Sequence, residues 1–556
     1  MVLRTFHLVG RPESSTRQLE IGEPAALEDL RPGIAAVYNI LRPADIRFHK
    51  GNTALENIEN IEQLLVCEAV GITIAGHPVR EPQQPVGVPG FGNHFEIYPD
   101  HLGNHQRLFN KYGGVIGTDN LGRVTYLTND PDITALAFRD GEYFTKAPSA
   151  PSHPLFGIRD DTALFLCDTD SPAWQEAHRF IPPSMTPRAV RHYTPLLQRS
   201  VEKAFLVLDA FDENGEALNV YHLTAKLASQ VICQLVLGVD LHHFDAVDSP
   251  MHRIIVLLQQ YLTLNRRVQT KGAWYSYLPF GDPVALKNTR KELYGLIEQA
   301  VMACRNHNGT TDDLPIQTAA LHASCLVDYL ARATDERGCK LRHEYILSNT
   351  LALVGAGFVT SSSFLAWLIY SLVTYPGQQD RLLQELVNHG ATLDKNWSYD
   401  EIQAMPFVDA FVKETQRMHS PSFQPARNVK KDVVLPGGWA LPQGSILIPS
   451  IPHLHRHAAY WENADRFDAD RWATEGVSNR HRSLYVPFAA GARGCIGFNV
   501  ALQEVKVALA ELVYRYEFVN ATDEAIEYDP DFIVIRPLNF YVRAIRRSSW
   551  PARSTA

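Results

Sequence analysis

Cys495 stands in the stretch F-A-A-G-A-R-G-C-I-G, residues 488–497, and its surroundings decide what its sulfur can do. Gly491, Gly494 and Gly497 let the backbone pass close to a flat ligand and turn its amides toward the sulfur. Apolar residues at Val500, Ala501, Val505, Ala508, Leu509, Leu512 and Val513 repeat at helical spacing, which predicts a helix starting near Gly497 or Phe498. A helix N-terminus carries partial positive charge and favours a thiolate over a thiol. Arg493, two residues before the cysteine, can meet a negative group on the same ligand. A thiolate beneath a flat anionic macrocycle describes axial ligation of a haem iron. The competing reading is a buried structural cysteine in a glycine-rich turn. Five fixed residues in ten weaken it, because a chain of this length matches by accident only about once in ten thousand.

With Phe488, Gly491, Arg493, Cys495 and Gly497 all in place, the stretch resembles the haem-binding signature of the cytochrome P-450 superfamily, F-x-x-G-x-R-x-C-x-G. That resemblance implies haem b, iron protoporphyrin IX, with Cys495 as the metal ligand and Phe488 and Arg493 among the cofactor contacts. It also implies a long helix over the iron reading A-G-x-[D/E]-T-[T/S], whose small residues permit a local bulge for dioxygen and whose acid and Thr relay protons. Here Ala356, Gly357, Thr360 and Ser361 match, but Val359 takes the place of the acid, and a valine carries no proton. Either water with the hydroxyls of Thr360 and Ser361 suffices, or the chemistry does not require scission of dioxygen. A Thr360 hydroxyl bonded back to its own helix is the structural alternative.

The same resemblance assigns further residues. W-Q-E-A-H-R puts Trp174 and His178 one helical turn apart, where the family bonds haem propionates, and Arg427 is a further propionate partner. Glu414 and Arg417 are three apart on a predicted helix, and Arg466, in A-D-R-F, would complete a Glu-Arg-Arg network supporting the loop behind the haem. The catalytic region is most like the haem domain of self-sufficient fatty-acid hydroxylases. There an Arg and a Tyr hold a substrate carboxylate and an aromatic lies over the haem; Arg123, Tyr126 and Phe165 echo these, beside Ala356. An exposed edge-strand Arg and an ordinary core Phe are the structural alternatives.

The elements that must position these groups follow from pattern. Arg4–Val9 and Arg17–Ile21 alternate like a hairpin, a helix runs from Leu27 to Tyr38, Ile46–His49 reads as a strand, Ile61–Leu65 as a short helix and Gly71–Ala75 as a last strand. This order predicts a small α+β module over residues 1–79, like a β-grasp or ubiquitin-like fold. A ferredoxin-type electron donor is excluded there, since Cys67 is its one cysteine and such a cluster needs four thiolates. Pro78, Pro82, Pro85 and Pro89 mark an extended linker, 80–90, before a mainly α haem domain with a smaller β region over 91–556. Within that domain Val115–Thr118 and Arg123–Leu127 form a hairpin, and Tyr275–Phe280 marks a break between helices. The apolar stretch Tyr345 to Tyr375 is interrupted by Asn349, Thr350 and 360–363, which favours a core helix over a membrane span.

Composition is globular: 556 residues, 45% hydrophobic and 20% charged, with a net charge of −9 that argues against a nucleic-acid partner. Seven cysteines, scattered without paired spacing, suit a reducing compartment and offer no zinc motif. The N-terminus is too soon polar for a signal peptide or membrane anchor, so no transmembrane segment is expected. A cytoplasmic location follows, compatible with peripheral membrane association. The expected activity is monooxygenation: one atom of O2 enters a small hydrophobic substrate, a fatty acid or a secondary metabolite. A separate NADPH-dependent reductase would supply the electrons. Two rivals stand: a reductase-independent haem-thiolate enzyme (a peroxygenase, or a peroxide isomerase or dehydratase), which Val359 favours, and a non-catalytic haem-binding sensor.

Overall fold

The computed structural model describes residues 2–554, apart from 23–25, 52–55, 272–273, 309–311, 423–424, 475, 530–531 and 533. The chain forms two compact units. One comprises residues 1–146, 424–450 and 490–492; the other comprises 147–423, 451–489 and 493–556.

The first unit opens with a four-stranded sheet in the order β2-β1-β4-β3, from β1 (Val2–Leu8), β2 (Arg17–Ile21), β3 (Ile46–Lys50) and β4 (Ala69–Ile74). β1 and β2 are antiparallel, as the alternating pattern predicts, and β1 runs parallel to β4 at the sheet centre. Phe6, Ile46, Leu64, Val70, Ile72 and Ile74 are fully buried. The helix Leu27–Tyr38 adds Ile34 and Ala35 to this core, and the Tyr38 hydroxyl donates to the Phe6 carbonyl at 2.7 Å. Val434 and Ala440, far along the sequence, belong to the same core. The core therefore does not end near residue 79.

The proline-rich segment is hydrogen-bonded to its neighbours. Arg80 donates its amide to the Gly438 carbonyl and accepts from Ala440, both at 2.8 Å, and its guanidinium lies 4.0 Å from the Trp439 ring centroid. Prolines lack N–H groups, but Arg80, between Pro78 and Pro82, keeps its own and pairs with the hairpin Val433–Leu435/Trp439–Leu441. A Cβ at Gly438, whose φ is +80°, would stand 2.7 Å from the Pro78 carbonyl oxygen, so the close approach needs glycine there.

A second sheet in this unit carries β5 (Val115–Asn120), β6 (Arg123–Thr128) and β7 (Phe144–Thr145) with the strands Arg427–Val429 and Ile446–Pro449. β5 and β6 are joined by Leu121 and Gly122, both at positive φ (53° and 80°), the two-residue turn whose twist suits a hairpin.

The second unit is mostly helical and is built around the long helix His343–Thr374, which packs along Val220–Leu237. Its most apolar window has a mean hydropathy of 1.7 and is 67% buried, so it lies in the core as the interrupted pattern predicts. Tyr375, Pro376 and Gly377 end it. The expected break near Tyr275–Phe280 is a short turn of 3₁₀-helix, Trp274–Tyr277, between the helices Arg253–Thr270 and Asp282–Asn308. A three-stranded sheet of Leu218–Asn219, Tyr516–Asn520 and Tyr541–Arg546 completes the unit.

Candidate active site

The cysteine loop is closed on itself. The Cys495 amide donates to the Phe488 carbonyl at 2.9 Å, and Ala489 and Gly491 take positive φ (56° and 75°) to make the turn. The helix Phe498–Arg515 then starts directly after Gly497, as its apolar period predicts, and the Phe488 and Phe498 rings stand 6.2 Å apart. Cys495 is exposed, yet protein surrounds it at longer range. That surrounding protein pushes the thiol pKa up, while the Gly497 N–H pulls it down; burial prevails. The helix terminus acts in the expected sense but does not by itself produce a thiolate. Coordination to a metal would do so.

Arg493 gathers the next group. The helix Pro172–Phe180 begins with Pro172 and is capped by the Ser171 hydroxyl, which accepts from the Trp174 amide at 3.1 Å. Trp174 and His178 then stack, ring centroids 4.6 Å apart, as their spacing predicts. The Arg493 guanidinium lies 5.6 Å from the Trp174 ring centroid and donates to the carbonyls of Phe165 (3.2 Å) and Cys167 (3.1 Å). Burial, and then the Arg493 charge, hold the His178 pKa below its ordinary value, so at neutral pH it is an uncharged imidazole beside one guanidinium. Phe165 is 48% exposed although Leu164 and Cys167 beside it are 7% and 1% exposed. Its backbone is fixed from the long helix: Leu164 donates its amide to Asn349 Oδ1 at 2.7 Å, and Asn349 Nδ2 donates to the carbonyls of Thr162 and Tyr345. Asn349 figures in the sequence only as an interruption of an apolar run, and its partners Thr162 and Leu164 lie about 185 residues away.

On the long helix, Ala356 is exposed and Thr360 partly so, while Phe358 and Val359 are buried. The Thr360 hydroxyl donates to the Ala356 carbonyl at 2.7 Å, the back-bonded arrangement. Two expectations are corrected. The helix is continuous α-helix without the anticipated bulge, and Gly357 faces Ile232, whose Cδ1 would be 2.5 Å from a Cβ there. Gly357 thus admits the neighbouring helix, because it sits about 100° round the axis from Ala356. Ser361 is 3% exposed and donates its hydroxyl to Glu504 Oε2 at 2.7 Å, away from the Ala356 face. Glu504, itself 2% exposed, has its pKa raised by burial to about 8 and carries a proton at neutral pH. Val359 is buried and carries no proton, and the Ser361–Glu504 pair lies away from the Ala356 face.

Behind the loop, Arg417 pairs with both oxygens of Glu414, at 2.9 Å each, and both side chains are fully buried. The third member is Arg471, not Arg466. Arg471 Nε donates to Glu414 Oε1 at 3.0 Å and Trp472 Nε1 to Glu414 Oε2 at 3.0 Å, whereas Arg466 contributes its backbone carbonyl to Arg417 and Arg471 and is itself exposed. A-D-R-F (464–467) is followed by A-D-R-W (469–472), and the second box is the one turned inward. A carboxylate this deep needs all its lone pairs satisfied, and the Asp468 amide supplies a further donor at 2.9 Å.

Arg427, Arg123 and Tyr126 belong to the other compact unit. Arg427 is 2% exposed, with its Nε 3.6 Å from Asp140 Oδ1 and its guanidinium 5.1 Å from the Phe138 ring centroid. On β6, Arg123 and Tyr126 are three residues apart. Strand geometry points them to opposite faces, so they do not form the expected shared carboxylate clamp. Tyr126 packs toward Gly117 and Arg123 is 5% exposed.

Comparison with known proteins gives one consistent result. A family model described as Cytochrome P450 matches residues 82–544. Cytochrome P450 monooxygenase alnD of Emericella nidulans is 79% identical over 555 residues, covering 100% of both chains. Thromboxane-A synthase of Rattus norvegicus is 24% identical over 474 residues, 79% of this chain and 86% of its own. Among solved structures, the crystal structure of the cytochrome P450DA heme domain has a TM-score of 0.74 at 23% identity and covers 84% of this chain and 98% of that one, a likeness of fold.

Proposed function

Since this chain belongs to the cytochrome P450 family, we propose that Cys495 would bind the haem iron and that the residues gathered around Arg493 would hold the cofactor. The protein is a haem-thiolate monooxygenase that binds haem b, and enzymes of this family work with a redox partner, O2 and a hydrophobic substrate. The observation that carries the assignment is the self-closed loop presenting one accessible thiol at the start of the 498–515 helix. The surrounding donor set fits the cofactor. Arg493 offers a cation and Trp174 and His178 offer N–H donors to the propionates, while Phe488 and the exposed Ala356 offer apolar contact. When bound, haem b supplies the activation of O2, with one oxygen atom entering a C–H or C=C bond and the other leaving as water.

The chain's own residues then have distinct tasks in this reading. Thr360 Oγ1, on the Ala356 face, holds a proton for delivery with water, and Val359 removes the usual carboxylate beside it. Ser361 serves the Glu504 carboxyl instead, and Gly357 serves helix packing. Phe165, clamped through Asn349 and Arg493, presents its ring to the substrate. Glu414, Arg417 and Arg471 hold the segment before the loop, and Arg427 is retained as a cofactor contact. Opposite-facing Arg123 and Tyr126 remove the argument for a fatty-acid carboxylate, which favours a neutral hydrophobic secondary metabolite. Electrons come from a separate NADPH-dependent reductase in the cytoplasm. Residues 1–79 act as a small α+β module that braces the 433–441 hairpin, ahead of the haem domain from residue 91.

The reduced, carbon-monoxide-bound protein is expected to show the strongly red-shifted Soret band of sulfur-bound haem, and Cys495→Ala to lose it. Persistence of that band in the variant overturns the assignment. Val359 gives a second reading specific support: turnover without a reductase. Parallel assays with NADPH and reductase, and with a hydroperoxide alone, separate the two; turnover with the peroxide only establishes the second.

A further inference from the structure

Two cysteines that sequence spacing leaves unrelated lie side by side. The sulfurs of Cys304, in the last turns of the helix Asp282–Asn308, and Cys325, the N-cap of the helix Leu326–Arg332, are 3.2 Å apart. A disulfide bond measures about 2.05 Å, so closure asks for a movement of only about an ångström. Cys325 is fully buried, and its sulfur is aimed by the Asp328 amide, which donates to it at 3.5 Å. Cys304 is part-exposed and so reachable from solvent. All seven cysteines are thiols in this structure.

We propose that Cys304 and Cys325 form a reversible dithiol–disulfide pair that fastens the C-terminal end of the 282–308 helix to the start of the 326–332 helix. The oxidant is a small disulfide of the glutathione class. The accessible Cys304 sulfur gives up its proton and attacks one sulfur of oxidised glutathione, expelling a glutathione thiolate and leaving a mixed disulfide. The Cys325 sulfur, already in contact, loses its proton and attacks the Cys304 sulfur, expelling the second thiolate. The two protons end on the two glutathione thiols. Two protein thiols are oxidised and one glutathione disulfide is reduced.

The bond would close a span of 21 residues and restrict the unfolded chain by that loop. It would also anchor a helix that acts on the candidate site. Arg290 and Tyr294 of the 282–308 helix both donate to Asp160 Oδ2, in the segment that leads to Phe165, and the Arg290 contact is 3.0 Å long. Fixing the far end of that helix limits its movement relative to the Asp160–Phe165 segment. The pair does not depend on what the haem does, so its test and the carbon-monoxide assay fail separately.

The experiment uses the haem-loaded protein equilibrated with graded ratios of oxidised to reduced glutathione, alkylated, digested and analysed by mass spectrometry. The expected result is a peptide joining Cys304 to Cys325, lighter by two hydrogens than the reduced peptides and cleaved by dithiothreitol. The thermal midpoint should rise with it, and the rise should vanish in both Cys304→Ser and Cys325→Ser, while exposed Cys339 stays available for alkylation throughout. Recovery of Cys304 and Cys325 as separately alkylated thiols at oxidising ratios overturns the proposal. So does a stable glutathione adduct on Cys304 with no joined peptide, since a poised neighbour would have displaced it. A midpoint rise that persists in either serine variant overturns the claimed cause of stabilisation.

Discussion

At the scale of single residues, burial sets the protonation that chemistry inherits. Glu504 lies on the helix that follows the cysteine loop, touches Ser361, and has a folded-state pKa of about 8 against an ordinary 4.5. A carboxyl with a raised folded pKa contributes stability that is fully present below its unfolded pKa and is lost as pH rises through the folded one. A tenfold difference in proton affinity between the folded and unfolded chains is worth about 1.4 kcal/mol, so wild-type stability should fall between about pH 5 and about pH 8 through this group. Glu504→Gln keeps a neutral acceptor for Ser361 and should remove that slope; denaturant midpoints of both proteins across the range test it. Parallel curves would mean that Glu504 ionises freely. Residues of this kind also mark how far sequence reading reaches. The Cys495 loop was legible because its phenylalanine, glycines, arginine and cysteine fall within ten positions of one another. Glu504 and Asn349 were not, since their roles come from neighbours over a hundred residues away. The parity of Arg123 and Tyr126 was available in the sequence, because three residues on a strand always reverse face.

At the scale of elements, the hydrophobic period located helices well, and what it missed was which side of each faced what. Gly357 and Ala356 read alike as small residues over a cofactor, yet one touches Ile232 and the other is exposed. Gly357→Ala should therefore cost about 1–3 kcal/mol through overpacking, and Ile232→Ala in the same protein should recover part of it. Additive losses in that double variant would place the strain elsewhere. The two A-D-R boxes make the same point about loops: identical triplets five residues apart differ only in which arginine is turned inward. Arg471→Ala leaves Glu414 short of a donor and should destabilise by about 3–5 kcal/mol with loss of retained haem. Arg466→Ala removes an exposed side chain whose carbonyl does the bonding, and should stay within about 0.5 kcal/mol. Unfolding curves and the haem-to-protein absorbance ratio distinguish them, and equal losses would return Arg466 to the network.

At the scale of the molecule, the strand–strand–helix–strand–helix–strand order of the N-terminus was readable because each strand alternates and each turn carries its own residues. The partner it packs on was not, because Val434 and Ala440 enter its core from far along the chain. Backbone pairing reinforces that junction: Ile40 bridges Val434, and Arg80 bridges Trp439 while its guanidinium covers the indole. A bead on a linker would have a closed core and an unpaired tether; here the core is shared and the tether is hydrogen-bonded. Removing residues 1–79 would expose Val434, Ala440 and part of Trp439, which are 5%, 8% and 9% exposed in the intact chain. The shortened protein should show a lower thermal midpoint, with amide protection lost first in the 433–441 hairpin and retained in the 343–374 helix. Hydrogen exchange followed by mass spectrometry resolves the two segments. Unchanged protection of the hairpin would show that the module contributes nothing to the sheet it touches, and its role would then have to lie in binding something else.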